Sequence, residues 1–160
     1  YEKDGYLTID DKPGTQEDKI VYPKDEFLMI LTDNVKGTGD NFDKFSATQM
    51  QDSSSLDRIN LNEELRYLDP KQELDMLQKM FPKSDTKLIE KLIKFAGLVR
   101  NGYKQGTIAL TLSPRGLIAI LNMDKVGIPA KRAVSLAFTN KIADEAELIA
   151  INDMIKTVSL

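Results

Sequence analysis

The sequence predicts an α/β segment followed by an all-α bundle, and three features of the chain carry that reading. Phe27-Leu28-Met29-Ile30-Leu31 is a continuous apolar run of five residues, too short for a helix and without alternation. Such a run suits a strand buried on both faces, as in a sheet covered by helices. Ahead of it, Tyr6-Leu7-Thr8-Ile9 and Lys19-Ile20-Val21-Tyr22 flank a turn-rich stretch and read as a β-hairpin. Beyond Pro70 the apolar residues recur at steps of three and four, the helical period, with no strand pattern between them. The division falls near Leu68 to Pro70, giving an α/β part at residues 1–68 and a helical part at 69–160.

Composition narrows the classes of function. The 41% hydrophobic and 29% charged content is that of a folded globular protein. No apolar run approaches the ~20 residues that cross a bilayer, so no membrane span is expected. The chain begins at Tyr1 with the polar YEKDGY, which predicts a chain cut from something longer, with no signal peptide. Zero cysteines and zero histidines exclude disulfides, thiolate metal sites and any catalysis built on His or Cys. The net charge of −3 and the scattered Lys and Arg leave no basic block to follow a phosphate backbone, so a mildly acidic cytoplasmic protein is expected rather than a nucleic-acid binder.

In chain order, Pro13-Gly14 lies in the hairpin turn and Pro23 separates the hairpin from the apolar run. The hairpin can cover a sheet edge or serve a function of its own. Phe42, Phe45 and Met50 stand in a Ser-rich stretch expected to be loop. Ile59-Asn60-Leu61 alternates as a further short core strand. Asp69 can cap a helix with Pro70 at its first position, where the missing N–H is no loss; that helix should reach Met80. Ser84-Asp85 opens a long helix through Leu88, Ile89, Leu92, Ile93, Ala96 and Val99, with Asn101-Gly102 as its stop signal. Residues 108–112 form an apolar connector. Ser113-Pro114 starts a helix carrying Leu117, Ile118, Ile120 and Leu121. Pro129 starts the next, with Ala133, Leu136 and Ala137 on one face, and Asp144 caps the last, with Leu148, Ile149, Ile151 and Ile155.

Candidate site residues stand where these elements end. Ligands in open α/β sheets sit beyond the carboxyl ends of strands, so Thr32, Asp33 and Asn34, directly after the apolar run, are placed to face one. Asn34 could instead close its own strand-to-loop turn. Gly37, Gly39 and Asp40 form a Gly-rich loop with no helix start behind it, and read as a flexible turn rather than a phosphate cradle. Arg58 ends a polar stretch as a fixed cation, or pairs with Asp57 or Glu63. Arg115 sits in the first turn of a helix, where the dipole disfavours a cation, so its position asks for another purpose. Arg100, Lys104 and Lys131-Arg132 read as solvated helix ends.

The run F-x-x-x-x-T-x-N-x-x-G-x-G-D, the later Ser54-Ser55-Leu56-Asp57-Arg58 and the Leu112-Ser113-Pro114-Arg115 stretch occur in one order that resembles the second half of an AAA+ ATPase core. The resemblance is to the branch holding the MoxR proteins and the ATPase subunit of cobaltochelatase, and it covers nearly the whole chain. It implies a partial P-loop NTPase core at residues 1–68 and a complete helical lid at 69–160. Asn34 would then sense the γ-phosphate with Thr32 nearby, Arg58 would act as an arginine finger toward a neighbouring subunit, and Arg115 would reach from the lid to the nucleotide phosphates. The hairpin would face the pore of a ring. ATP and Mg2+ are the implied cofactors, and copies of the same chain in a hexameric ring are the implied partners, with a protein bearing an integrin-like metal-binding domain as a further one. The implied work is remodelling of a protein client or metal insertion. The departure is plain: this sequence holds neither a G-x-x-x-x-G-K-[ST] loop nor an apolar strand ending in Asp-Glu for magnesium. Negligible ATPase activity is therefore expected of these 160 residues alone. The alternative is a non-catalytic helical adaptor, or a degenerate scaffold subunit, that binds a protein partner.

Overall fold

The computed structural model describes residues 5–28, 30–32, 57, 59 and 61–160. The chain divides into two units, Tyr1–Glu64 and Leu65–Leu160.

In the first unit, β1 (Leu7–Thr8) pairs antiparallel with β2 (Ile20–Val21), Leu7 opposite Val21 and Thr8 opposite Ile20. The Ile9 amide donates to the Lys19 carbonyl at 2.9 Å and extends the ladder. Tyr6 and Tyr22 close one end with ring centroids 6.1 Å apart. The turn is held by Asp18, whose carboxylate accepts from both the amide and the hydroxyl of Thr15 at 2.8 Å. Gly14 has φ +129°, a conformation that favours glycine, and a Cβ there would lie 2.8 Å from the Asp18 carboxylate. The hairpin expected from the alternating pattern is present.

The buried strands expected after it are not. Phe27, Leu28, Ile30 and Leu31 lie outside any strand, and Leu28 and Ile30 are 77% and 78% exposed. Ile59 and Leu61 are likewise exposed and outside any strand, whereas Asn60 lies outside the described residues. The reason is physical: an apolar run is buried as a strand only when neighbouring strands flank it and helices cover it. Among the described residues the sheet has two strands, and this run is in neither.

The second unit is a five-helix bundle. Helix α1 (Pro70–Met80) begins as the Asp69-Pro70 pair dictates: the Asp69 carboxylate accepts from the Lys71 and Gln72 amides, and proline fills the first position. Helix α2 (Thr86–Lys104) is capped by Asp85, which accepts from the Lys87 amide. Its buried face is Ile89, Leu92, Ile93, Phe95, Ala96 and Val99. Helices α3 (Pro114–Lys125), α4 (Ala130–Ala137) and α5 (Glu145–Thr157) follow, the last capped by Asp144 on the Glu147 amide. Helices α1, α3 and α5 pack on α2, and α4 packs on α3. Phe95 and Phe138 meet edge to face at 6.1 Å in the shared core, each such large side chain contributing about 1.5–3 kcal/mol through burial.

Helix α2 does not stop at Asn101-Gly102. It runs to Lys104 and ends where Gly106, at φ +77°, turns the chain; the Gly106 amide donates to the Tyr103 carbonyl and the Thr107 amide to the Gly102 carbonyl. This 6→1 and 5→2 pattern satisfies the terminal carbonyls. Gly102 is inside the helix for a different reason. A Cβ on it would sit 2.7 Å from the Ile108 Cδ1, so the absent side chain lets Ile108 into the core.

Candidate functional site

Residues 107–113 form a non-helical connector that is tied down at several points. Ile108 and Leu112 are buried. The Ala109 amide donates to the Glu147 carboxylate on α5 at 3.0 Å. The Leu112 carbonyl accepts from Arg100 Nε on α2 at 2.8 Å. The other two guanidinium nitrogens of Arg100 donate to both carboxylate oxygens of Glu73 on α1, each at 2.8 Å. The Glu73 side chain is 1% exposed and that of Arg100 12%. The expectation of a solvated Arg100 is therefore corrected. Glu73 is the buried carboxylate that draws it inward, and a planar guanidinium can serve one carboxylate and one carbonyl at once. The Tyr67 ring covers the guanidinium at 4.1 Å, and the Tyr67 and Thr111 hydroxyls are 3.2 Å apart.

Helix α3 starts from this fixed connector. Ser113 occupies the cap position without a side-chain capping bond; its carbonyl accepts from the Gly116 and Leu117 amides. Pro114 takes the first helical position, as expected. Gly116 allows a close approach, since a Cβ there would lie 2.6 Å from the Leu112 Cδ1. Arg115 is exposed in the first turn and its guanidinium makes no hydrogen bond or ion pair among the described residues. It lines a groove of about 400 Å³ with Lys141, whose apolar lining includes Leu110, Ala119, Met123 and Leu136. Two cations beside an apolar surface suit a ligand with an anionic end and a flat or apolar body. They do not suit a metal ion, and among the described residues no group of three or more acidic side chains could hold one.

Of the sequence-predicted site residues, Arg115 is thus placed on the groove of the helical unit. Thr32 is described in the first unit and is exposed. Asn34, Arg58, Asp33, Gly37, Gly39 and Asp40 lie outside the described residues. Sequence reasoning did not find Tyr67, Glu73, Thr111 or Lys141. Glu73 looks like any acidic residue in the first turn of a helix, and nothing in spacing links positions 73 and 100. Among the described residues no helix is long and apolar enough to cross a membrane.

Residues 73–158, the span of the bundle, match the CbbQ/NirQ/NorQ C-terminal family. The chain is 25% identical over 150 residues to the aerobic cobaltochelatase subunit CobS of a Sinorhizobium species, covering 91% of this chain and 43% of that protein. It therefore spans less than half the length of that curated relative. No solved structure matches. The mostly helical architecture is consistent with an AAA+ C-terminal helical part, and the chain belongs to the CbbQ/NirQ/NorQ C-terminal family, within the MoxR-like AAA+ ATPases.

Proposed function

We propose that this chain supplies the nucleotide-responsive lid of a ring-forming AAA+ ATPase, with residues 69–160 as the lid and residues 1–68 as the distal part of the α/β core. Arg115 carries the reading. It is an exposed cation in a helix first turn, beside an apolar groove and a second cation, with no partner of its own among the described residues. Such a side chain is free to take a phosphate oxygen, and a planar fork suits that task. A lid whose cation is satisfied only when nucleotide is bound couples occupancy to lid position.

In the same reading, Asn34 orients the attacking water with Thr32 beside it, and Arg58 reaches a neighbouring subunit's nucleotide. ATP with Mg2+ is the substrate, the magnesium being held outside these 160 residues. The relative is named for aerobic cobaltochelatase, which supports metal insertion; the same proposal takes a protein that bears an integrin-like metal-binding domain as its partner, with remodelling of a protein client as the other form of the work. The setting is cytoplasmic.

Steady-state ATPase activity of the complete polypeptide, measured across protein concentration, tests this reading. Turnover that rises steeply with concentration and falls by about 10³-fold or more in Arg58→Ala is the expected result, the size being that of an arginine finger. Absence of turnover at every concentration, with a phosphate loop present, contradicts it and favours a scaffold subunit.

A further inference from the structure

Besides the Ala109 bond to Glu147, the end of the connector nearest Arg115 is held from two sides. Arg100 is locked by Glu73 and grips the Leu112 carbonyl, one peptide before the Ser113 cap and three residues before Arg115. The second hold comes from residues 65–69, the non-helical stretch that leads into α1. From that stretch Tyr67 lays its ring on the Arg100 guanidinium at 4.1 Å and brings its hydroxyl to Thr111 at 3.2 Å. A single side chain thus touches both the cation that fixes Leu112 and the residue next to Leu112.

We infer that Tyr67 is a positioning residue for Arg115, linking the segment that leads into the bundle to the start of α3. This rests on the nucleotide role proposed for Arg115. The route is short and consists of contacts already described: Tyr67 to Thr111 and Arg100, Arg100 to Leu112, and the Ser113 carbonyl to the Gly116 and Leu117 amides. Leu112 is buried and packs where Gly116 lacks a Cβ, so a displaced Leu112 cannot move without disturbing the first turn that carries Arg115. Tyr67 itself is 46% exposed. The Glu73–Arg100 bonds do not involve it, so its removal should leave that pair in place and separate positioning from stability.

The test is a double-mutant cycle between Tyr67 and Arg115 in the complete polypeptide, read as the dissociation constant for ADP and for ATPγS, with melting temperature alongside. Tyr67→Ala should weaken nucleotide binding several-fold and Thr111→Val by less, with melting temperature little changed. In Arg115→Ala the further change Tyr67→Ala should have almost no effect, because residues acting through one another are not additive. Amide hydrogen exchange at Gly116 and Leu117 should also be faster in Tyr67→Ala than in the wild type. If Arg115→Ala weakens binding but Tyr67→Ala does not, or if the two losses simply multiply, the inference is overturned while the role of Arg115 stands. If Arg115→Ala has no effect on binding, the nucleotide role fails. The positional link is then decided by hydrogen exchange: unchanged protection at Gly116 and Leu117 overturns it, and faster exchange sustains it.

Discussion

Arg100 on α2 meets Glu73 on α1 through two parallel hydrogen bonds of 2.8 Å, with the carboxylate almost wholly out of solvent. The pair joins two helices and, through Arg100 Nε, fixes the carbonyl just before the Ser113 cap. The start of α3 is therefore placed by a buried ion pair rather than by its own cap, since the Ser113 hydroxyl makes no capping bond.

That arrangement makes single and double changes behave differently. Glu73→Ala leaves the Arg100 charge in a desolvated place without its carboxylate and should cost about 3–5 kcal/mol. The double variant Glu73→Leu with Arg100→Met should recover much of that loss, because an apolar pair of similar size avoids the desolvation. Urea unfolding of the helical unit measures both. Equal losses in the single and double variants would contradict this account of the pair.

Two glycines of α2 should respond differently to alanine. A Cβ added at Gly97 would meet no atom within 4 Å, so Gly97→Ala should stabilise by about 1 kcal/mol through helix propensity alone. Gly102→Ala puts a methyl 2.7 Å from Ile108 Cδ1 and 3.2 Å from Thr107 Oγ1. Overpacking of about 1–3 kcal/mol should offset or exceed the same propensity gain. Thermal melts of the two variants distinguish them, and a stabilised Gly102→Ala would show that Ile108 yields freely.

The hairpin turn carries a pH signature. The Thr15 hydroxyl and amide hold the Asp18 carboxyl below the ordinary aspartate value, with Lys12 adding to the effect and desolvation opposing it. A carboxyl lowered in the folded form contributes stability that is present above its unfolded pKa and is lost as pH falls through the folded one. The midpoint of the Asp18 resonance in an NMR titration should thus lie below the ordinary aspartate value, and Thr15→Ala should bring it back part of the way. A midpoint at or above about 4 in the wild type would contradict the turn described.

What is legible in the sequence is local. Asp69, Asp85 and Asp144 stand before helices and make the capping bonds their positions suggest. The three- and four-residue steps find the buried face of α2, although Ile149 of α5, assigned to a core face, is 59% exposed. What is not legible depends on distance along the chain. Glu73 and Arg100 each look like a surface charge until two helices bring them together. Leu136 reads as core but lies on the groove with Arg115, because the face that α4 buries is Ala133, Val134 and Ala137. The run at residues 27–31 reads as a buried strand only if strands flank it, and no pattern within the run can supply them.

The central claim is that Arg115 answers to nucleotide, and the most direct measurement is equilibrium binding of ATPγS and ADP to the complete polypeptide, wild type against Arg115→Ala and Arg115→Lys. Losing a charge-assisted hydrogen bond should weaken ATPγS binding by about 10-fold or more, with Arg115→Lys intermediate and the melting temperature of the free protein unchanged. Equal affinity in all three would contradict the claim and leave the bundle a lid, or an adaptor, whose first-turn arginine serves no nucleotide.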